Sequence, residues 1–366
     1  MSTDNEGQKV TIEDVAREAD VSLATVSLVL QNKGKLRPQT RDRVREAIEA
    51  TGYKKRPKPN AVKQEKPTQI ALVVDDIANP YFHKLYKGID DNLPDDGCIL
   101  TIVSSEDSIE RQSALLRALS SSGVDRLVVV PATGTNPGDL DALHGDESAL
   151  ILAVRKIEKG SFNYIGADPT HGMMLAAEHL TALGHERIAF VGGYKANFAF
   201  GERYAGIAAT LVKHGLALPP KRVVPGGSTR AFGREAALNL LRGNNKPSAM
   251  IGYNDLVALG LMDGIMAAGL VPGKDVAVVG YDDIPDAADQ PIPLTTIATP
   301  ADNVGAVIAK ALLNMDLDGR SENTINITFP PRLVIRASCG SLSDEVTAKL
   351  GEKPDAGRDA KGKSVA

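Results

Sequence analysis

The residues with chemistry to offer fall into two groups that lie far apart in the chain. One is a series of polar residues placed just after short apolar runs: Asp75 and Asn79-Pro80-Tyr81-Phe82, Ser104 to Asp107, Arg155, Asp168, Gly192-Gly193, Asn254-Asp255 and Tyr281-Asp282-Asp283. Carboxylates, amides and a guanidinium can each bond to pairs of hydroxyls, and aromatic faces can stack on sugar rings, so the set suits a polyhydroxylated ligand. With no Trp in the chain, stacking falls to Tyr81, Phe82, Phe198, Phe200 and Tyr253. Taken singly, each polar residue reads equally well as a helix cap. The other group is basic. Residues 33–66 carry twelve Lys/Arg against four Asp/Glu, an excess of eight positive charges in a chain whose net charge is −4. A local excess of this kind is what a phosphate backbone attracts, although a charge run is more often a solvated face.

Catalytic and metal signatures do not emerge. No G-x-G-x-x-G follows a strand, and neither a P-loop nor G-x-S-x-G occurs. The six His residues show no H-E-x-x-H or Cys/His ligand spacing. His179 and His185, near a helix end, read as partners of the helix dipole. No enzyme activity, cofactor or metal is expected.

Elements must hold these groups in place. In Thr11 to Leu30, Ile12, Val15, Ala16 and Ala19 form one apolar helical stripe. Thr11 suits the N-cap, with Asp14 three residues on. Asp20-Val21-Ser22 breaks the pattern, and Ser22 can cap a second helix of small residues, Ala24, Thr25 and Ser27, with Leu28. The pair reads either as a helix-turn-helix with a thin recognition helix or as an ordinary helical hairpin. The basic segment directly after it favours the first. A third helix is expected from Pro38 through Thr51, with Val44, Ala47 and Ile48 facing inward and Gly52 ending it. KKRPKPNAVKQEKPTQ then reads as a linker.

From Gln69 the pattern changes. Continuous apolar runs such as Ile70–Val74 alternate with helix-length segments, the signature of strands covered on both faces in a doubly wound α/β domain. The unit repeats, so residues 69–163 and 164–296 look like two similar lobes, followed by a helix over Asn303–Met315 and late strands at Ile325–Phe329 and Leu333–Arg336. Ligands of such sheets bind outside the carboxyl ends of the strands, which is where the polar set lies. The N-terminus lacks an apolar signal core and no apolar run reaches membrane-spanning length. Cys98 and Cys339 read as free thiols of a reducing compartment, so a cytoplasmic location is expected.

Several stretches together resemble the lactose/galactose-repressor (LacI/GalR) family: the segment from Thr11 to Tyr53, NPYF (79–82), HLTALGHERIAFVGG (179–193), ERYAG (202–206), YNDLVALG (253–260), VVGYDDIP (278–285), LTTIATP (294–300) and RLVIRAS (332–338). Their order covers roughly residues 10–340, and TVSLVL is similar to the maltose-operon repressor branch. The resemblance implies a headpiece (1–53), a basic linker (54–67), a two-lobed periplasmic-binding-protein-like effector and dimerisation domain (68–340) and a disordered tail (341–366). Lobe 1 would take about 68–163 and 299–326, and lobe 2 about 164–298 and 327–340. It further implies a homodimeric repressor on palindromic operator DNA, with a small effector, a sugar or sugar derivative, between the lobes. Base reading would fall to Leu23, Ala24 and Leu28, with Thr25, Ser27 and Asn32 nearer the backbone, and Thr11, Ser22, Arg37, Thr40, Tyr53, Lys55 and Arg56 around them. Effector contacts would be Arg203, Asn254 and Asp282, with Tyr81, Asp107, Arg155 and Phe200 as further candidates. A purine-type corepressor-dependent regulator and a solute-binding protein without transcriptional work are the alternatives.

Two departures from the family pattern stand out. The turn residue, usually Gly, is Asp20, which tolerates a left-handed backbone. The hinge lacks the family's leucine wedge: Pro57 and Pro59 interrupt it and Val62 is the nearest apolar side chain, so charge rather than a minor-groove wedge is expected to act there.

Overall fold

The computed structural model describes residues 12–30, 38–51, 67–141, 149–157, 161–315 and 324–341. The expectations for the linker from Lys54 to Lys66, including the hinge, and for the tail from 342 on lie outside the described residues. The chain divides into two compact units, residues 1–66 and 67–366.

The first unit holds α1 (Ile12–Glu18), α2 (Leu23–Leu30) and α3 (Pro38–Thr51). Val15, Ala16, Ala19, Val26, Val44 and Ala47 form its core, with Val21, Val29 and Ile48 half-buried against it. These are the inward positions of the apolar stripes read from the sequence. Asp20 adopts the left-handed conformation (φ 49°) that the turn demands. Arg43, reaching back from α3, donates to the carbonyls of Ala19 at 2.6 Å and Asp20 at 2.9 Å. It thereby supplies partners that the end of α1 leaves unsatisfied. Ser22 Oγ accepts from the Thr25 amide at 3.2 Å, so it caps α2 as its position suggested.

The second unit starts with β1 (Thr68–Val74), α4 (Tyr81–Asp90), β2 (Cys98–Ser104), α5 (Ile109–Ser121), β3 (Arg126–Val129), α6 (Pro137–Asp141), β4 (Ala149–Ala153) and β5 (Asn163–Ala167). It continues through α7 (Pro169–Ala182), β6 (Ile188–Val191), α8 (Phe198–Lys213), β7 (Val223–Val224), α9 (Arg230–Leu240), β8 (Ala249–Gly252), α10 (Asp255–Ala267), β9 (Ala277–Asp282), α11 (Pro285–Ala288) and β10 (Thr295–Ala298). The chain closes with α12 (Ala301–Asn314), β11 (Asn326–Phe329) and β12 (Arg332–Val334). One sheet runs β11-β5-β4-β3-β1-β2 and is parallel throughout. The other runs β12-β10-β9-β8-β6-β7, parallel except for β12, which pairs antiparallel with β10.

Both sheets reverse their strand order beside β1 and β6, and such switch points open a crevice at the strands' carboxyl ends. The chain passes between the lobes three times, after β5, after β10 and after β11. This corrects the lobe limits. Tyr164-Ile165-Gly166 and Ile327–Phe329 belong to the first lobe's sheet, because β5 pairs with β4 and β11 pairs with β5. Alternation of strand and helix signals a winding pattern but not the sheet that each strand joins. Gly193 (φ 72°) shows how tightly the crevice is built: a Cβ there would lie 2.4 Å from the Tyr253 ring.

Candidate functional site

On the first unit, α2 turns Val26 fully inward and leaves Leu23 46 % exposed. Ser22 is exposed and Thr25 half-buried, their hydroxyls 2.9 Å apart, and Thr40 is half-buried in the first turn of α3. Ala24, Ser27 and Leu28 occupy the same helix as expected, but their side chains lie outside the described residues. Thr11, Asn32, Arg37, Tyr53, Lys55 and Arg56 lie outside them altogether. Arg43 is engaged with the turn while remaining exposed, and exposed Arg45 stands 4.0 Å from Asp42.

In the second unit, five of the seven expected effector residues line one pocket between the lobes: Tyr81, Arg155, Arg203, Asn254 and Asp282. Asp75, Asn79, Phe82, Val154, Ser228 and Tyr253 complete it. Most come from the ends of β1, β4, β8 and β9, or from the helix starts that follow them. Lobe 1 contributes a buried ion-pair network. Arg155 pairs with Asp75, donates to Asp107 at 2.7 Å and to the Pro131 carbonyl at 3.1 Å. Asp107 also accepts from the amide and the hydroxyl of Thr133 at 2.9 and 2.8 Å. It therefore holds Arg155 in place and is not among the residues that line this pocket.

Lobe 2 contributes Arg203, 5 % exposed, whose guanidinium lies 4.1 Å from the Tyr253 ring centroid and 4.0 Å from that of Tyr281. It also donates to the Tyr253 carbonyl. Asn254 caps α10 by accepting from the Val257 amide at 3.0 Å, and its amide nitrogen donates to the Ser228 carbonyl at 3.4 Å. Asp282 accepts a long hydrogen bond (3.5 Å) from Asn79 across the cleft. Phe200, also expected as a contact, packs against Phe190 (centroids 5.3 Å apart) in the lobe 2 core, and Phe198, two residues earlier, is the aromatic that lines the cleft.

Burial governs the electrostatics. It pushes the Asp282 carboxyl up to about 7 against the opposing pull of Arg203, with Asp255 adding repulsion. It raises Asp75 too, against the pull of Arg155. Two buried polar atoms here have no partner: Asp75 Oδ1, an acceptor from lobe 1, and Arg203 Nε, a donor from lobe 2. Buried polar groups are normally satisfied, so such a pair marks where a ligand's hydroxyl can bond. Backbone strain gathers at the same place. Of the six non-glycine residues described with positive φ, five (Glu106, Asp107, Val154, Asp282 and Asp283) sit in these strand-end loops. Val154 is a costly one, because a β-branched side chain strongly disfavours φ 65°.

Beyond Arg155 the cleft widens into a chamber of about 790 Å³ between Pro131–Pro137 and Arg155–Ile157 on one side and Thr170 and Lys195–Ala205 on the other. The sequence reading had not picked out Lys156, Lys195, Asn197 or Glu202. Asn197 caps α8 by accepting from the Ala199 amide at 3.0 Å, an Asn just before a helical segment being the local signal that could have found it. Among the described residues, no group of three His, Cys, Asp or Glu side chains could hold a metal ion, and no helix is long and apolar enough to cross a membrane.

Comparison with known proteins identifies the family. Residues 11–56 match the family described as "Bacterial regulatory proteins, lacI family", and residues 177–339 match a periplasmic binding protein-like domain. The maltose regulon regulatory protein MalI of Escherichia coli (strain K12) is 30 % identical over 338 residues, covering 89 % of this chain and 98 % of its own. Catabolite control protein A of Priestia megaterium is 28 % identical over 90 % of this chain and 99 % of its own. Among solved structures, the CelR–cellobiose complex superposes with a TM-score of 0.66 at 26 % identity, covering 90 % of this chain and all of that one (100 %). The lac repressor dimer bound to operator and the anti-inducer ONPF gives 0.66 at 26 % identity, covering 91 % and 99 %. The chain belongs to the LacI family of DNA-binding transcriptional regulators, a helix-turn-helix unit joined to a periplasmic-binding-protein-like effector domain.

Proposed function

We propose that this protein is a homodimeric repressor that reads a palindromic operator through α2 and responds to a sugar, or sugar derivative, bound between its two lobes. The observation that carries the effector half is the convergence of Tyr81, Arg155, Arg203, Asn254 and Asp282, from both lobes, on one pocket with an unpaired buried donor and acceptor. A ligand bonded to both lobes favours one relative placement of them, and that differential affinity is what shifts a two-state equilibrium. The DNA half rests on the exposed face of α2 and on the basic run over residues 33–66. Reading through Leu23, Ala24 and Leu28 offers few hydrogen bonds, so thymine methyls and groove shape carry more of the recognition than bidentate contacts.

Gel shift with the promoter nearest the protein's own gene, with and without sugars, tests both halves. Arg203→Ala and Asp282→Ala should keep operator affinity within about twofold and lose the effector response, since both lie far in sequence from the DNA-reading unit and both line the pocket. An unaltered effector response in these variants overturns the site.

A further inference from the structure

The interlobe cleft is divided into two compartments of very different size. The pocket containing Asp75, Arg203 and Asp282 offers about 30 Å³, room for little more than one or two water molecules. The chamber beyond Arg155 encloses about 790 Å³, within the range of small-molecule sites. Arg155 lines both, so the two spaces adjoin at its side chain. A compact single-ring ligand would have to push the lobes apart to reach the small pocket and would leave the chamber unfilled. The unpaired Asp75 Oδ1 and Arg203 Nε nevertheless demand that some polar end reach inward.

Charge narrows the ligand further. Arg155 is matched by Asp75 and Asp107. Arg203 lies between two tyrosine rings and near Asp282. In the chamber, Lys156 lies 4.6 Å from the Tyr164 ring centroid and attracts Glu202. That leaves Lys195, on the exposed rim, beside a wall that also carries the Glu202 carboxyl. No fork of guanidinium groups converges on a common point there among the described residues, so the bidentate arginine mode of phosphate recognition is not offered. Phe198, Ile157, Pro131 and Pro137 give the chamber apolar surface, while Thr135 and Asn197 give it neutral hydrogen-bonding groups.

We propose that the effector is an uncharged glycoside of at least two rings, whose body fills the chamber and whose terminal hydroxyls reach Asp75, Arg203 and Asp282. This rests on the reading of the cleft as the effector site and specifies the class of ligand it takes. Sugar phosphates and free purines do not fit the balance of charge and volume.

Gly201 provides the test. It sits on α8 in the chamber wall, is exposed, and a Cβ there would meet nothing within 4 Å. Gly201→Phe therefore fills the chamber without disturbing the core, and it replaces a poor helix former. Full-length wild type and Gly201→Phe are screened by thermal shift and calorimetry with maltose, cellobiose, lactose and sucrose, with glucose, galactose and fructose, with glucose 6-phosphate, and with hypoxanthine. The expected result is that at least one neutral disaccharide stabilises the wild type, and that its affinity falls about tenfold or more in Gly201→Phe. Binding of a monosaccharide equal to that of every disaccharide, or a disaccharide affinity that Gly201→Phe leaves unchanged, overturns the two-ring inference. Preferential stabilisation by glucose 6-phosphate overturns the uncharged class, preferential stabilisation by hypoxanthine overturns the glycoside class, and stabilisation by none of the compounds also counts against the proposal. Operator gel shift on the same samples without ligand separates these failures from failure of the regulator reading, which alone would abolish DNA binding.

Discussion

Asp282 concentrates the residue-level chemistry of the cleft. It is 6 % exposed, strained at φ 120°, and bridged to the other lobe by Asn79. Burial, only partly offset by Arg203, pushes its carboxyl up to about 7. A carboxyl raised in the folded state binds protons that the unfolded chain releases. Its stabilising share is complete below the ordinary carboxylate range and is lost as the pH climbs through about 7. Wild type is therefore expected to melt several degrees higher at about pH 5.5 than at about pH 8, and Asp282→Asn should flatten much of that slope. A residual slope is expected from Asp255, a fully buried carboxyl raised to about 6 first by its burial, against bonds from Thr296 and the Ile284 amide. Melting curves of wild type and Asp282→Asn that run parallel across this range would show that Asp282 does not titrate there. The same desolvation suits a site that bonds neutral hydroxyls, because a protonated Asp282 can donate as well as accept.

At the scale of elements, the turn between α1 and α2 shows what sequence alone can and cannot convey. The stripes Val15-Ala16-Ala19 and Val44-Ala47 are local patterns of helical period, so both helices and their buried faces were legible. So was the left-handed turn at Asp20. The clamp from Arg43, 24 residues from Ala19, carried no local signal, and in the sequence it counted only as one more positive charge. The same distinction explains the cleft. Strand-end residues identified Asp75, Arg155, Asn254 and Asp282, but the Asn79–Asp282 contact spans 203 residues, and the membership of β5 and β11 depends on pairing that no local pattern encodes. The start of α8 was hidden because Gly201 interrupts its helical signal just after the Asn197 cap. The turn makes paired predictions. Arg43→Ala should cost about 1–2 kcal/mol of local stability by stranding two carbonyls, whereas Asp20→Gly should gain about 0.5–1 kcal/mol by relieving the left-handed strain. Hydrogen exchange of the Val15–Val26 amides in the full chain reads both, and exchange moving in the same direction for the two variants would refute the account.

At the scale of the effector domain, few described side chains tie one lobe to the other away from the three chain crossings. Asn79 reaches Asp282 at 3.5 Å, Asn197 reaches Thr133 at 3.3 Å, and Lys84 on α4 donates to the Asp283 carbonyl at 2.5 Å. The lysine link is the only one of these three with a charged donor, and a hydrogen bond of that kind contributes roughly 1.5–3 kcal/mol. It is also outside both cavities, so removing it perturbs closure without touching ligand contacts. If the effector acts by favouring the closed arrangement, its apparent affinity scales with the fraction of molecules already able to close. Lys84→Met should accordingly raise the effector concentration for half-maximal response about tenfold, while operator affinity at saturating effector stays at the wild-type value. The sign of the operator response, release or tightening, does not enter this prediction, because coupling between two sites is reciprocal whichever state the DNA prefers. A titration of operator binding against effector in both proteins measures it. An unshifted midpoint would show that Lys84 does not hold the lobes together, and a changed plateau would show that it contributes to the DNA-binding state itself.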